Sequence, residues 1–397
     1  MNSNRNTRWI EDINLLSSEL SQKHKNLFFQ KSKEDFFKEI ASLKANIESL
    51  NDYEIKLQIA KIVASIRDAH TSVPLQINLL LPLELYWFSD GIYVIATLTE
   101  YKDLLYCKIT KVDKIDIEEV INILSTIISY ENQSYLKSQI PKYFPAIELL
   151  YDLGIVNDID CLELTFENEN KIIRTLEIKS LPLRAWREKQ SLINSDLMLS
   201  NKLPLYRRNS DSYYWFEYLE VSNTIYFKYN VCRDMSSTDL ITFSKRIIQF
   251  IEEHIVEKFI IDLRNNFGGN SSLLEPLMDY VKQCEKINKK GNLFVIIGRE
   301  TFSSALLNVL YLKENSSAIF IGEPTGGKPN CYGELQRLIL KNSGLTVCYS
   351  TMYYKIIEDD TLLSFLPDVN ISITVQNYIN NQDPCLEYII NSHEHKV

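Results

Sequence analysis

The chain is short of glycine. Only 11 of its 397 residues are glycine, about 3% against a usual share of roughly 7%. Few positions can therefore take left-handed backbone or admit a close neighbour. Long apolar runs are also missing. The longest, over residues 75–88, is interrupted by Gln76, Asn78 and Glu84. It falls short of the roughly 20 apolar residues that a membrane-spanning helix needs, which excludes such a helix. Seven cysteines are scattered over 107–385 without a CxxC pair. An odd, dispersed set fits a reducing compartment better than a disulfide framework, and it carries no zinc signature. Positive charge is in deficit, with 43 Lys plus Arg against 52 Asp plus Glu and a net charge of −9. That balance, with no basic cluster to override it, argues against nucleic acid and membranes as partners. No apolar core follows the polar start, Met1-Asn2-Ser3-Asn4-Arg5-Asn6-Thr7-Arg8, so no secretory signal and a cytoplasmic location are expected.

What is present is globular material, 45% apolar and 24% charged, enough for two or three domains at ~150 residues each. Residues 1–72 read as a helical region. Trp9, Ile13, Leu16 and Leu20 share one helical face. Ser32 with Asp35 looks like the capped start of a helix through Phe36, Ile40, Leu43, Ile47 and Leu50, and Asp52 is placed to cap a third through Ile55, Ile59, Ile62 and Ile66. Residues 73–185 mix strand-like runs at 83–87, 92–96, 104–111, 162–166 and 172–178 with a helical stretch at 117–129, as in a small α+β module.

Residues 186–397 change character. A strand at 224–229 precedes a helix starting near Ser236 or Ser237, with Leu240, Phe243, Ile247, Phe250 and Ile251 on its apolar face. Three short, nearly all-apolar runs follow at 259–263, 293–297 and 318–321, with helical segments near 273–285 and 304–313 between them. Such runs suit strands buried on both faces of a parallel sheet. The region therefore reads as an α/β core of βαβαβ type.

Nine of the 11 glycines lie in 268–344, and ligands of an open parallel sheet bind beyond the carboxyl ends of its strands. Each apolar run ends there in a distinctive loop: Arg264-Asn265-Asn266-Phe267-Gly268-Gly269-Asn270, then Gly298-Arg299-Glu300-Thr301-Phe302-Ser303-Ser304, then Gly322-Glu323-Pro324-Thr325-Gly326-Gly327-Lys328-Pro329-Asn330. If the strands are parallel neighbours, glycine amides, two serines at a helix start and a lysine meet at one edge. That set is coherent for acyl transfer. A serine at a helix N-terminus sits among orphan amides that favour negative charge. Those amides, with one from Gly268 or Gly269, can hold a tetrahedral oxyanion, and a desolvated lysine can act as general base. A rival is Gly322-x-x-x-x-Gly327-Lys328, which follows a strand as a phosphate-binding P-loop does. Against it, Pro329 stands where a magnesium-binding Ser or Thr is required, and Asn330-Cys331-Tyr332-Gly333-Glu334 does not open a helix.

The strings Ile261-Asp-Leu-Arg-Asn-Asn-Phe-Gly-Gly269, Thr301-Phe-Ser-Ser-Ala305 and Gly322-Glu-Pro-Thr-Gly-Gly-Lys328 resemble the tail-specific, or C-terminal processing, serine peptidases, a group that includes the tricorn protease core. Asp68-Ala-His-Thr71 is similar to the group's short histidine motif, and Pro367-Asp368-Val369 to its late Pro-Asp turn. The resemblance implies a crotonase/Clp-peptidase-like ββα core, often preceded by a PDZ-like module, for which 83–125 offers a degenerate version. It implies a peptidase acting on peptides or unfolded protein, with no cofactor and no metal. In these enzymes the nucleophile lies 25 residues before the lysine, which selects Ser303 with Lys328. Ser304 would then supply an oxyanion amide alongside Gly268 or Gly269. The Ser/Lys branch implies Lys328 as base. The tricorn-like branch implies His70 with a late acid, for which Asp359 or Asp360 is in place. Leu306 stands where the family carries a glutamate, which leaves room for a non-catalytic binding protein on the same scaffold, as in the retinoid-binding relatives.

Other candidates read as structural. His24 and His254 are expected at the surface, and His393 and His395 in a solvated tail. Asp262 and Arg264 are expected to fix the first loop. Tyr229-Asn230 ends a strand beside the expected cleft, within reach of a substrate.

Overall fold

The computed structural model describes residues 2–189 and 203–392; His393 and His395 lie outside the described residues. Three helices come first: α1 (Asn2–Lys23), α2 (Lys33–Ala45) and α3 (Asp52–Ala64). Their apolar stripes are buried together, with Trp9, Ile13, Leu16 and Leu20 meeting Phe36, Ile40, Ile55, Ile59 and Ile62. Ser32 caps α2 as expected, its Oγ accepting the Asp35 N–H at 3.0 Å. At α3 the cap is Asn51 rather than Asp52. Glu54 reaches back to the Asn51 N–H at 2.6 Å while Asn51 Oδ1 accepts the Glu54 N–H at 3.0 Å, closing a capping box.

Next is an antiparallel sheet of β1 (Leu83–Phe88), β2 (Gly91–Thr97), β3 (Lys108–Val112), β4 (Cys161–Glu167) and β5 (Ile173–Lys179), paired in that order. It shares one core with α4 (Ile117–Ser125), α5 (Gln133–Tyr143) and α6 (Ile147–Asp152). The expected strand over 104–111 is shorter: a 3₁₀ turn fills Thr99–Leu104 and pairing begins at Lys108. α5 carries Pro141 near its end and has no clear signature in the sequence.

The third part is a mostly parallel sheet. In chain order it holds β6 (Tyr214–Leu219), β7 (Thr224–Tyr229), α7 (Leu240–Glu253), β8 (Lys258–Asp262), α8 (Glu275–Gln283), β9 (Leu293–Ile297), α9 (Ser304–Asn315) and β10 (Ile319–Gly322). The chain then leaves the sheet as a hairpin, β11 (Cys331–Ile339) and β12 (Thr346–Tyr354), and returns through β13 (Val369–Asn370) to α10 (Pro384–Asn391). Strand order is β13-β10-β9-β8-β7-β6, with β6 antiparallel to β7 and every other pair parallel. The all-apolar runs are explained by burial on both faces. Phe259, Ile261, Val295, Ile297 and Phe320 pack with Ile247, Leu277 and Val309 of α7, α8 and α9, while Tyr226, Ile260, Phe294, Ile296 and Ile321 pack with Cys385 and Ile389 of α10.

The hairpin does not belong to that core. Leu338, Val347 and Tyr349 pack among the first three helices, and Ser72 pairs with Cys348 through bonds of 3.1 and 2.8 Å. This junction carries the end of the helical region to the carboxyl edge of the parallel sheet. Among the described residues no helix is long and apolar enough to cross a membrane.

Ion pairs pin the same edge from the other side. Arg264 bonds the Asp383 carboxylate through two nitrogens at 3.0 and 2.9 Å and Asp262 through Nε at 2.9 Å, while Lys228 Nζ lies 3.1 Å from Asp262. All four groups are buried. Burial alone would raise the Asp262 carboxyl, but the Arg264 and Lys228 charges hold it at about 2. Removing one member of a buried pair strands the other. Asp383→Ala, which also removes the cap of α10, is therefore expected to destabilise the protein by about 3–5 kcal/mol in chemical denaturation; a loss below about 1 kcal/mol would contradict this account of the pair.

Candidate active site

The three loops meet at the carboxyl edge of β8, β9 and β10. The Phe302 N–H donates to the Asn266 carbonyl at 3.1 Å, and the Gly327 N–H to the Thr301 carbonyl at 3.0 Å. The glycines of the third loop serve this contact: a Cβ on Gly326 would lie 2.2 Å from the Arg299 carbonyl oxygen. The loop leads into strand β11, not a helix. With no helix N-terminus after the loop to hold a phosphate, the P-loop reading is removed.

Ser303 sits at the turn from β9 into α9 with φ 52 and ψ −128, a region that glycine dominates in tight turns. A serine held there costs about 1–3 kcal/mol, and such strain clusters at functional sites. Its side chain caps no helix amide. Instead Ser303 Oγ lies 3.2 Å from His70 Nε2. The neighbouring hydroxyl is committed elsewhere, since Ser304 Oγ donates to the Gly269 carbonyl at 2.7 Å. Gly268 packs directly beneath the turn, where a Cβ would come within 2.8 Å of Ser303 Cβ. Its own N–H donates to Asn266 Oδ1 at 2.8 Å. Among the described residues, the Gly269 and Ser304 amides have no acceptor. The free amides beside Ser303 are therefore those of Ser304 and Gly269, while the Gly268 amide is already used.

The His70 ring stacks on Phe302, centroids 4.5 Å apart, and Phe302 packs on Tyr135 of α5. His70 Nδ1 is buried with no hydrogen-bond partner among the described residues, and Asp68 Oδ1 stands 4.0 Å from it. Burial lowers the His70 titration below its usual 6.5, against the opposing pull of the Asp68 charge and the Tyr332 backbone. Asp68 has no exposed surface. Its Oδ2 takes Thr71 Oγ1 at 2.5 Å, Ser350 Oγ at 2.6 Å and His24 Nε2 at 3.0 Å, and its Oδ1 takes the His70 N–H at 3.0 Å. Burial pushes this carboxyl up, but the His24 bond, the His70 charge and the two hydroxyls together bring it below the ordinary carboxylate value.

The other expected residues are arranged differently. Lys328 makes no hydrogen bond to Ser303 among the described residues; its charge acts instead on Glu131 and Cys331. Asp360 does not reach His70. It is exposed, accepting from Asn330 Nδ2 at 2.6 Å and Tyr353 OH at 3.1 Å, and so ties the chain after β12 back to the third loop. Asp359 is likewise spent locally on Thr361. His24 is buried, not at the surface, while His254 is exposed as expected. Tyr229 points into the core and is fully buried, which removes it as a substrate contact. Leu306 is a core residue beneath Gly327. Sequence reasoning missed Asp68 as a site residue, although it lies inside the quoted Asp-Ala-His-Thr string, and Glu131, which had no local signal. Glu131 is half-buried beside Asp68 and pushed up to about 8 by desolvation and by that neighbour, with Lys328 and the Ala69 backbone opposing. Among the described residues no group of three or more His, Cys, Asp or Glu side chains is placed to hold a metal ion.

No family model matches the chain, and no curated protein matches its sequence. Solved structures do match in shape. Mature CPAF complexed with lactacystin is 14% identical, with 98% of this chain and 99% of that chain covered at a TM-score of 0.68. Mature CPAF alone is 14% identical, with 97% and 96% covered at a TM-score of 0.66. At full coverage of both chains, this mixed α/β chain has the fold of CPAF.

Proposed function

We propose that this chain is a serine peptidase of the tail-specific type, cleaving peptide bonds within peptides or unfolded proteins. In this reading 186–397 is the crotonase-like catalytic core, 83–125 a degenerate PDZ-like module and 1–72 a helical region that supplies the base. Ser303 is the nucleophile, and His70 rather than Lys328 is the general base. The observation that carries the reading is the 3.2 Å contact from His70 Nε2 to Ser303 Oγ, made by a serine held in strained backbone at a helix start. The shared fold with CPAF, whose mature form was solved with lactacystin, supports it.

The chemistry follows from the geometry. As Ser303 Oγ attacks the substrate carbonyl carbon, its proton passes to His70 Nε2. The imidazolium so formed lies 4.0 Å from the Asp68 carboxylate, whose charge stabilises it in a site shielded from water. The carbonyl oxygen becomes an oxyanion and accepts from the Ser304 and Gly269 amides. When the tetrahedral species collapses, the C–N bond breaks and His70 returns the proton to the leaving amine. Water then attacks the acyl-Ser303 ester by the same steps and frees the carboxylate product. Lys328 has a supporting part beside Glu131.

Cleavage of casein by the wild type and its loss in Ser303→Ala tests the reading; cleavage that survives Ser303→Ala contradicts it. Lys328→Arg is expected to retain most activity, because in this reading Lys328 is not the base; were it the base, the permanently protonated guanidinium could not replace it. Abolition by Lys328→Arg with His70→Ala still active would return the role to Lys328. The pH profile gives a separate check. His70 must be neutral to accept the proton, and its titration is depressed from 6.5. The acid limb of kcat/KM is therefore expected to have its midpoint below 6.5, with full activity at neutral pH; a midpoint well above that value would contradict the assignment.

A further inference from the structure

His24 is the first residue after α1, its N–H donating to the Leu20 carbonyl at 3.0 Å. Its side chain has no exposed surface. Nδ1 accepts the Asn26 N–H at 3.1 Å, which assigns the proton of a neutral ring to Nε2. That nitrogen faces Asp68 Oδ2 at 3.0 Å. The next residue continues the tie, with the Lys25 N–H donating to the Ser350 carbonyl at 3.0 Å, and the His24 ring packs on Tyr332 of β11 at a centroid distance of 5.4 Å. A ring used in this way offers Asp68 one N–H and no acceptor. Together with Thr71, Ser350 and the His70 amide it leaves the carboxylate surrounded by donors. A buried carboxylate lacking these donors would be neutral or displaced.

We propose that His24 is a positioning residue of the Ser303–His70 site: by donating to Asp68 it holds that carboxylate as a fixed acceptor under His70, and so makes helix α1 part of the catalytic apparatus. The inference rests on the peptidase reading above. Its physical content is a charge relay of position, not of protons: His24 sets Asp68, and the Asp68 charge 4.0 Å from Nδ1 sets how readily His70 takes the proton from Ser303. Removing the His24 donor leaves Asp68 buried with one bond fewer. Its charged form becomes costlier, and His70 becomes a weaker base.

The groups facing this cluster come from four elements: His70 and Thr71 from its own turn, Ser350 and Tyr332 from the hairpin, Glu131 from the start of α5, and Lys328 from the third loop. Burial and the Asp68 charge push the Glu131 carboxyl up to about 8, so the His70 titration is best followed below about pH 7, where Glu131 is mostly protonated.

The test compares wild type, His24→Leu, which removes the donor, and His24→Gln, whose amide can donate to Asp68 while its oxygen accepts from Asn26. Two readouts are taken: kcat and KM on a peptide substrate, and the His70 titration by side-chain nitrogen NMR, assigned with His70→Ala. His24→Leu is expected to lower kcat roughly tenfold or more with KM nearly unchanged, and to move the His70 midpoint to lower pH; His24→Gln is expected to restore most of both. A folded His24→Leu protein with wild-type kcat and midpoint overturns the proposal. So does a His24→Gln variant no better than His24→Leu, which would mean that the site needs only the ring's bulk. Should His24→Leu fail to fold, Ser350→Ala removes a donor from the same carboxylate oxygen and is expected to move the His70 midpoint in the same direction; an unmoved midpoint overturns the proposal. If the wild type shows no Ser303-dependent cleavage, the peptidase reading falls, and the NMR titration still decides the role of His24.

Discussion

The arrangement depends on a buried negative charge. Asp68 has no contact with solvent, and among the described residues no lysine or arginine bonds it. It stays ionised through the nearby His70 charge and through donors that converge on it from separate parts of the chain: His24 from the end of α1, Thr71 and the His70 amide from its own turn, and Ser350 from β12. Each donor is worth little alone, but an unsatisfied buried carboxylate is expensive. Satisfying this one requires the first helices, the 68–71 turn and the hairpin to be in register together. The Ser72–Cys348 pairing next to it extends the same register into backbone.

The reactive edge is built on close approach. Gly268 lies against the Ser303 turn and Gly326 against the Arg299 carbonyl, so loops from three adjacent strands stack with almost no intervening side chain. Ser303 is held at positive φ against that contact, and the Gly269 and Ser304 amides beside it have no acceptor among the described residues. The Arg264–Asp383 pair fastens the first loop to α10, and Asn132 at the start of α5 fastens the third, donating to the Gly326 and Leu363 carbonyls at 2.8 and 2.6 Å. Strain at the nucleophile is thus borne by a scaffold pinned on each side.

The sequence spoke clearly wherever one physical cause acted locally. Strands 224–229 and 293–297 coincide with the structure, and 259–263 and 318–321 are each one residue out, because burial on both faces leaves runs with hardly a polar residue. The serine pair 303–304 was legible as a candidate from its place at a strand-to-helix turn, with Ser303 picked out only by the spacing that the resemblance implies, and the glycine loops from their crowding in a glycine-poor chain. Long-range causes were illegible. His24 lies four residues after Leu20 and continues the apolar stripe of α1, but a histidine at a helix end reads as a surface residue, since the carboxylate it meets lies 44 residues away. The choice between His70 and Lys328 could not be made from spacing, since both motifs are present in order. Asp360 was placed by its distance along the chain, whereas the carboxylate beside His70 is two residues from it. The hairpin was invisible as a separate element because its inner face, Leu338, Val347 and Tyr349, is apolar only on alternate residues and its partners are the first helices.

The most direct test of the central claim is to treat the protein with a fluorophosphonate, which reacts only with an activated serine, and to map the adduct by peptide mass spectrometry. The geometry predicts one adduct, on Ser303, whose formation collapses when His70 is replaced by Ala. An adduct on Ser304, or labelling of Ser303 at an undiminished rate without His70, would contradict it.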